Sequence, residues 1–498
     1  MDRSLARRIL LAALAIGFLA ELALDGPALG LNMPVLTAAM LAAAWVFRRP
    51  GRAPDPLDAW LPVSALVLAA FVAVRADPFV TLLDIAGAAA FTGASAASFS
   101  GLAVTRRSAT AVMAMGVWVL HAAIAGTPRA ISAGRLAETD GLRQAPAWFV
   151  PVGRGLLLAI PLVLIFAVLF ASADPIFSRG FEDFMNFGID LGDLPGRIIF
   201  VLAVAWLAGG LLTVAARGLP QLERSSLGAA AQSGTLVRER LLGTTEALVV
   251  LVGIDLIVAL FVGLQVAYLF GGLDTLAAAG MKYSDYARRG YFELVAAAAL
   301  AGGILVALEY QVTRRSRPYL VLAIALVGLT IVVLASAALR LQLYQDAYGW
   351  TELRLYVAVS IAAMAATLAT LAVFLASDRT RWLGHSMVVI GLISLIGLNL
   401  LAPAAFVAER NVARVLDPSL VPPDGEISLD ADYLAVLPDD AIPALVEALP
   451  ALPPAEGSRV LQLLKARRTD LAHQAAYTSP FAWNLGRERA RAALATLP

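Results

Sequence analysis

Long apolar stretches recur along the whole chain, and the polar and charged residues concentrate in the short segments between them. A helix needs about 20 residues to cross a hydrocarbon layer of roughly 30 Å. Stretches approaching or exceeding this length lie at Leu5–Leu24, Pro34–Phe47, Leu57–Val74, Phe79–Val104, Gly155–Ala171, Ile198–Ala215, Glu246–Phe270, Tyr291–Tyr310, Tyr319–Leu339, Leu353–Ala376 and Gly384–Val407. The pattern therefore predicts an all-α fold, a polytopic membrane helix bundle of about 11 spans, or about 12 if one weaker stretch also crosses.

The weaker stretch is Ser108–Gly126, and the arginines decide how we interpret it. Lys and Arg close to helix ends mark cytoplasmic loops, and here they concentrate in alternate loops. If Ser108–Gly126 crossed the membrane, the basic group Arg314, Arg315 and Arg317 would lie outside. We therefore expect a re-entrant or interfacial helix, a cytoplasmic N-terminus and an extracytoplasmic C-terminus, in a multi-pass protein of the cell inner membrane.

The last part of the chain differs in composition, because charges and prolines return and no further span follows. Ser479 followed by Pro480 is typical of a helix start, a capping serine with proline at the first helical position. We expect short helices that form a small extracytoplasmic all-α module. The chain then divides into a four-span part (1–107), an interfacial helix with a cytoplasmic loop (108–154), a seven-span core (155–408) and a helical tail (409–498).

Composition agrees with a membrane protein and excludes several classes of function. Apolar residues make up 60% of the chain and charged residues 15%, against about 45–50% and about 25% in soluble proteins. The mean hydropathy is +0.78. A net charge of +1 gives no sign of a face that binds nucleic acid, and the absence of cysteine excludes disulfides and thiolate ligands. With three distant histidines we expect no metal and no cofactor.

Familiar catalytic patterns are missing from the sequence. The chain has no phosphate-binding GxxxxGK[ST] loop, no HExxH and no GxSxG. An ATP-driven pump is therefore not expected, and the balance leans against an enzyme without excluding one.

Three polar residues fall inside predicted spans, where a charged side chain costs roughly 2.5–3.5 kcal/mol on insertion scales. Asp255 lies near the middle of its span, Gln265 lies further along the same span, and Asp84 lies in the fourth span. One interpretation of Asp255 is an ion or proton site. The other is a protonated or paired carboxyl that joins helices, and we favour it because no partner acid is evident.

Arginines, tyrosines and acids gather in segments predicted to lie on the extracytoplasmic side, where arginine is normally disfavoured. The candidate ligand-binding residues are Tyr283, Tyr286, Arg288, Arg289, Glu293, Tyr344, Tyr348, Glu352, Arg354, Glu409 and Arg410. One hypothesis is a pocket for an anionic, lipid-like ligand or an envelope protein, since arginine can pair with a carboxylate and still donate to a ligand. It requires an arginine within about 4 Å of a carboxylate. The other hypothesis is an interfacial aromatic belt with structural ion pairs.

An ordered set of segments resembles a bacterial family of multi-pass membrane proteins. The segments are Ser172–Phe177, Tyr268–Gly272, Tyr283–Leu294, Leu343–Tyr356, Leu429–Leu434, Asp440–Leu445 and Trp483–Ala490. The family is catalogued as domain of unknown function forty-one seventy-three. The likeness covers Gly153–Ala490 well and the first four spans more loosely. It implies a multi-pass membrane protein and no defined activity, so no function is inherited from it.

Three functions from different classes remain open. The leading interpretation is a non-enzymatic membrane protein that binds a ligand or partner at its outer face, in envelope sensing or assembly. A secondary transporter would use Asp255 as its coupling-ion site, although no inverted repeat is evident. A polyprenyl-sugar glycosyltransferase would use Glu21 or Asp25 as an acid and an arginine such as Arg354 as a phosphate clamp, although its first outer loop would be short. The lipid bilayer is the one partner expected in every case.

Overall fold

The computed structural model of this chain describes residues 2–24, 28–107, 109–134, 193–219, 244–270, 291–312, 316–422, 425–473 and 479–498. Throughout these stretches the chain forms α-helices and short 3₁₀ turns, without a β-strand. The prediction of an all-α protein is therefore confirmed for the residues described. The predicted span Gly155–Ala171 lies outside them.

The α-helices of the described residues are numbered here in chain order. They are α1 (Arg3–Ala23), α2 (Asn32–Val46), α3 (Trp60–Val72), α4 (Pro78–Phe99), α5 (Ala109–Gly134), α6 (Asp193–Arg217), α7 (Thr244–Phe270), α8 (Tyr291–Gln311), α9 (Arg317–Tyr348), α10 (Glu352–Ala376), α11 (Leu383–Leu401), α12 (Pro403–Leu416), α13 (Ala431–Val436), α14 (Ile442–Ala448), α15 (Pro454–His473) and α16 (Leu485–Ala495).

Six helices of the described part are long and apolar enough to cross a membrane, by length and composition. The qualifying segments are Pro78–Phe99, Gly196–Arg217, Thr245–Gly263, Arg317–Tyr348, Glu352–Ala376 and Leu383–Leu401, and shorter apolar helices lie at Asn32–Val46, Pro56–Val72 and Met115–Ile124. Large apolar side chains such as Leu11, Val46 and Leu256 are more than 60% exposed, which fits lipid surroundings. The chain is a helical membrane protein, and the count of about 11 spans stays a prediction.

Helix α9 continues beyond its predicted end and stops only at Tyr348. Gly349 follows with φ +87°, a left-handed conformation that ends the helix and favours glycine. The buried guanidinium of Arg414 stabilises this end, since its Nη2 donates to the Ala347 carbonyl at 3.0 Å. Burial lowers the pKa of Arg414 below its usual range. The extension moves Tyr344 and Tyr348 from a predicted loop onto the last turns of a helix.

The predicted span Gly384–Val407 is divided into two helices in the structure. α11 ends at Leu401, Ala402 has a left-handed backbone with φ +52°, and α12 begins at Pro403. Proline is well suited to a first helical position, because its missing N–H would have no helical partner there. The apolar count alone overlooked this break, which adds α12 to the tail.

Helix α5 covers the weaker apolar stretch of the sequence and extends beyond its predicted end. It runs over Ala109–Gly134, with Pro128 inside it. At about 1.5 Å per residue such a helix is roughly 39 Å long. The interfacial or re-entrant placement of Ser108–Gly126 remains a prediction.

Two compact units divide the chain, Met1–Glu21 with Ala123–Thr213, and Leu22–Ala122 with Val214–Pro498. In the first unit, small residues allow close helix approach, because a Cβ on Gly210 would overlap the backbone of Ala123. Trp206 Nε1 donates to the Ile124 carbonyl at 2.7 Å, which ties α6 to α5.

The described residues of the second unit form three apolar clusters. In the largest, α9 lies between α7, α8 and α10 and buries Leu326, Leu334 and Leu341 completely or nearly so. In a smaller cluster, Leu68 of α3 and Ala88 of α4 pack against side chains of α11. The third cluster lies within the tail, where α12 to α16 pack on one another.

Candidate functional site

The tail is fixed to the ends of the membrane helices by backbone hydrogen bonds. At the end of α3, where helix carbonyls lack helical partners, Asn484 Nδ2 donates to the carbonyls of Val72 at 2.9 Å and Arg75 at 2.7 Å. The N–H groups of the next two tail residues donate to the two carbonyls between these, at 2.8 and 3.1 Å. Asn484 also caps α16, because its Oδ1 accepts from Arg487 N. One side chain therefore binds both the end of α3 and the start of α16.

A second set of contacts joins the tail to the turn before α2. Leu31 N donates to the Trp483 carbonyl at 3.0 Å, and Arg487 Nη2 donates to the Leu29 carbonyl. A Cβ on Gly30 would overlap the Trp483 carbonyl, so this approach requires glycine. We call the resulting surface the tail-side face: the turns at 28–31, 72–77 and 349–352, with the tail residues that lie against them.

Asp77 is the first of three carboxyl groups on the tail-side face. It caps α4, because its Oδ1 accepts from the N–H groups of Phe79 at 2.9 Å and Val80 at 3.0 Å. Its Oδ2 accepts from the Tyr356 hydroxyl at 2.7 Å. Asp77 is 1% exposed, and both of its oxygens have donors.

Asp440 brings a second carboxyl from the tail. Its Oδ2 accepts from Ala76 N at 2.7 Å, and its Oδ1 lies 3.9 Å from Arg75 Nη1. Burial raises the pKa of Asp440 above its usual range, and Asp77 adds to this, whereas the Ala76 N–H and Arg75 oppose it. A Cβ on Gly486 would overlap Asp440 Oδ1, which accounts for glycine at that position.

Glu352 supplies the third carboxyl, from the first residue of α10. Its backbone N–H donates to the Tyr433 hydroxyl at 3.0 Å, and its side chain lies within hydrogen-bonding reach of Asp77. Asp440 also acts on it electrostatically. Its Oε1 is buried and has no donor among the residues described. Within the described stretches, Arg75 is the cation beside this group of three acids, and Glu352 Oε1 is left without a hydrogen bond.

Asp84 and Asn399 form a polar pair deeper in the helices, and both side chains are 0% exposed. Asn399 Nδ2 donates to Asp84 Oδ1 at 2.9 Å and to the Leu395 carbonyl at 3.0 Å. The Asn399 carbonyl accepts from Arg75 Nε at 2.6 Å, which links this pair to the tail-side face.

At the opposite end of α3 and α4, a single buried acid has a full set of donors. Asp58 is 2% exposed and accepts from Ser98 Oγ at 2.8 Å, Val104 N at 2.9 Å and Thr105 N at 2.8 Å. This carboxylate holds the chain after α4 against the start of α3. Both of its carboxyl oxygens accept hydrogen bonds, so neither is left to bind a ligand.

Asp255, the acid that the sequence analysis placed at mid-span, is 8% exposed on α7. Neither of its carboxyl oxygens has a hydrogen-bond partner within the described part of the chain. Leu251 and Ile254 beside it belong to the apolar cluster around α9. The helix-joining interpretation allowed a protonated or a paired carboxyl, and no partner for the paired form is found among those residues.

Of the predicted ligand-binding residues, the structure brings Tyr344, Tyr348 and Arg354 together. The Arg354 guanidinium lies 4.1 Å from the centre of the Tyr344 ring and donates to the Gly349 carbonyl. The rings of Tyr344 and Tyr348 are 5.2 Å apart in an edge-on arrangement. Among the described residues Arg354 forms no ion pair, so it serves here as a cap on the end of α9.

The remaining predicted residues are spread over the structure or lie outside its description. Arg410 lies 5.1 Å from the Phe406 ring, and Glu409 beside it is exposed. Glu293 is exposed at the start of α8. Tyr283, Tyr286, Arg288 and Arg289 lie outside the described residues, as does the side chain of Gln265. The predicted pairing of Arg288 and Arg289 with an acid thus stays a prediction.

Sequence reasoning missed the acids that the structure groups on the tail-side face, apart from Glu352. A signal existed for Asp77, since aspartate followed by Pro78 is a typical helix start. No comparable signal existed for Asp440, because its partner Ala76 lies far away in the chain. Within the described stretches, no group of three or more His, Cys, Asp or Glu side chains could hold a metal ion.

Comparison with known proteins identifies a family but no activity. A family described as a domain of unknown function (DUF4153) matches residues 63–448. The resemblance to a family of unknown function is thereby confirmed. No curated protein and no solved structure matches the chain.

Proposed function

We propose, on the premise that this chain belongs to the DUF4153 family and that this family defines no activity, a binding function for its tail-side face. The protein is a non-enzymatic membrane protein whose tail and membrane helices together bind a ligand or partner, in envelope sensing or assembly. Its ligand carries a positively charged, hydrogen-bond-donating group, such as an amine or a guanidinium.

The buried Oε1 of Glu352 carries this proposal. A buried acceptor without a donor costs about 1–3 kcal/mol, and more when it is charged. The nearest acids are already engaged as acceptors, because Asp77 accepts through both of its oxygens and Asp440 accepts from Ala76 N. Arg75 already serves Asn399 and Asp440. A donor from outside the described chain would complete this hydrogen-bonding set.

Thermal unfolding of the purified protein in detergent tests the proposal with two probes, arginine methyl ester and glycerol phosphate. The cationic probe should raise the midpoint in a saturable way in the wild type and in Glu447→Gln, which changes an exposed acid outside the candidate site. It should have no effect in Glu352→Gln. If only glycerol phosphate stabilises the protein, the anionic ligand expected from Arg288 and Arg289 replaces the cationic one.

A secondary transporter is the second candidate, and one observation favours it. Two intramembrane acids, Asp84 and Asp255, have carboxyl oxygens without donors within the described residues. Proton- or cation-coupled carriers place acids in such positions. Loss of gradient-driven uptake in Asp255→Asn, with normal expression, would support transport over binding.

Glu21, one of the acids considered for a glycosyltransferase, lies 3.2 Å from Arg197 in the first unit.

A further inference from the structure

The Asp84–Asn399 pair has an uneven set of hydrogen bonds. Both N–H bonds of the Asn399 amide are used, one by Asp84 Oδ1 and one by the Leu395 carbonyl. Two acceptors are left, Asp84 Oδ2 and Asn399 Oδ1, and neither has a donor among the residues described. Both side chains are 0% exposed, so bulk water does not supply one.

Rotating the amide does not remove the mismatch. With its oxygen and nitrogen exchanged, Asn399 would direct an acceptor at both Asp84 Oδ1 and the Leu395 carbonyl, and two bonds would be lost. A single proton on Asp84 does remove it. A neutral carboxylic acid has one O–H donor, which can serve the amide oxygen while the amide N–H serves the acid carbonyl. One proton thus satisfies both remaining atoms.

We infer that the Asp84–Asn399 pair is a buried binding site for one proton, held between an acid and an amide inside the membrane helices. The charged form has no compensating cation in the described residues, since the charged group acting on Asp84 is another acid, Asp77. An uncompensated carboxylate in such surroundings is costly, whereas the neutral acid is not.

Among the described residues, polar groups lead from the site toward the tail-side face. Toward the tail-side face, Asp77 begins the same helix two turns earlier, about 10 Å away at 1.5 Å per residue. Arg75, Tyr356, Glu352 and Asp440 continue the polar groups from there.

On the other side, an apolar cluster closes the helices. Leu68 and Ala88 are 0% and 3% exposed and pack against Phe91, Leu392 and Leu395. A Cβ on Gly87 would lie 2.6 Å from Leu68 Cδ1, so the helices are in close contact one turn below Asp84. The proton therefore exchanges with the tail side. This inference is independent of the proposed ligand, because the pair itself includes neither Glu352 nor any residue of the tail.

Infrared difference spectroscopy of the full chain in lipid nanodiscs at pH 8 tests the inference. The wild type minus Asp84→Asn difference should contain the carbonyl band of a neutral carboxylic acid. Asp84→Asn keeps the amide-like geometry of the neutral acid, so it should fold. The same band should persist in Asp255→Asn, which removes a different intramembrane acid, and should shift in Asn399→Ala, which removes its hydrogen-bond partner. The Asn399→Ala spectrum keeps the test decisive should Asp84→Asn fail to fold.

Three results would overturn the inference. One is a difference spectrum that contains only ionised carboxylate bands. Another is an acid band that Asn399→Ala leaves unchanged. The third is an acid band that appears only after sodium is replaced by choline, because the pair would then hold a metal cation in place of the proton.

Discussion

Helices α3 and α4 end in buried acids on both sides, yet the two ends have opposite hydrogen-bonding balances. At one end Asp58 alone receives three donors from Ser98, Val104 and Thr105. At the other end Asp77, Glu352 and Asp440 crowd together near one arginine, and Glu352 Oε1 lacks a donor in the described chain. The presence of an acid therefore does not separate the two ends. The number of donors does, and the end that lacks a donor is the one for which we propose binding.

The two ends of α3 and α4 should also lie on opposite sides of the membrane. A reporter enzyme fused near each end should therefore show the largest difference that we expect. An alkaline phosphatase fused after the C-terminus should be active, because the tail is predicted to be extracytoplasmic. The same enzyme fused after Arg52, next to the Asp58 end, should be inactive. The reverse pattern would invert the whole orientation, and inactive enzyme at both positions would indicate that Ser108–Gly126 crosses the membrane.

Asp58→Asn should destabilise the protein by about 2–4 kcal/mol. The amide nitrogen replaces an acceptor that serves a buried backbone N–H, so a donor would face a donor. Chemical unfolding in detergent measures the change, and Glu409→Gln serves as the exposed control. A loss below about 0.5 kcal/mol would mean that these hydrogen bonds do not hold the end together.

Gly486→Ala should loosen the tail from the tail-side face, at a cost of about 1–3 kcal/mol for overpacking. Its Cβ would overlap Asp440 Oδ1, whereas a Cβ on Gly457 would meet no atom closer than 3.5 Å. Limited proteolysis of the tail should therefore accelerate in Gly486→Ala and not in the matched variant Gly457→Ala. Equal protection in both variants would contradict the docking contacts.

The attachment of the tail should weaken as the pH rises. Burial raises the pKa of Asp440 above its ordinary value of 3.8, so the attached state prefers the neutral acid. That preference contributes its full stability below pH 3.8 and is lost as the pH rises through the raised value. Proteolysis of the tail at a series of pH values, normalised to a soluble substrate, should follow this course. Asp440→Asn should flatten it, and an unchanged profile in that variant would assign the effect to another group.

The sequence predicts the helices well because lipid leaves the backbone few alternatives, so apolar length alone identifies segments such as Pro78–Phe99. Helix ends were harder, because α9 is stabilised by Arg414 from a distant helix. The candidate site was hardest. Arg354 has the chemistry to bind an acid, and the fold places it on the Tyr344 ring. The residue type shows which groups a side chain is able to bind, whereas long-range packing decides which of them it contacts.

Glu352→Gln provides the most direct test of the contrast between the two ends. The substitution supplies an N–H donor beside an oxygen that lacks one and adds no charge among the acids, so the free energy of unfolding should stay the same or rise by up to about 1 kcal/mol. Measured beside Asp58→Asn in the same detergent, the two carboxyl-to-amide changes should differ in sign or by at least about 2 kcal/mol. Equal losses in both variants would contradict the claim that the tail-side face holds an acceptor reserved for a ligand.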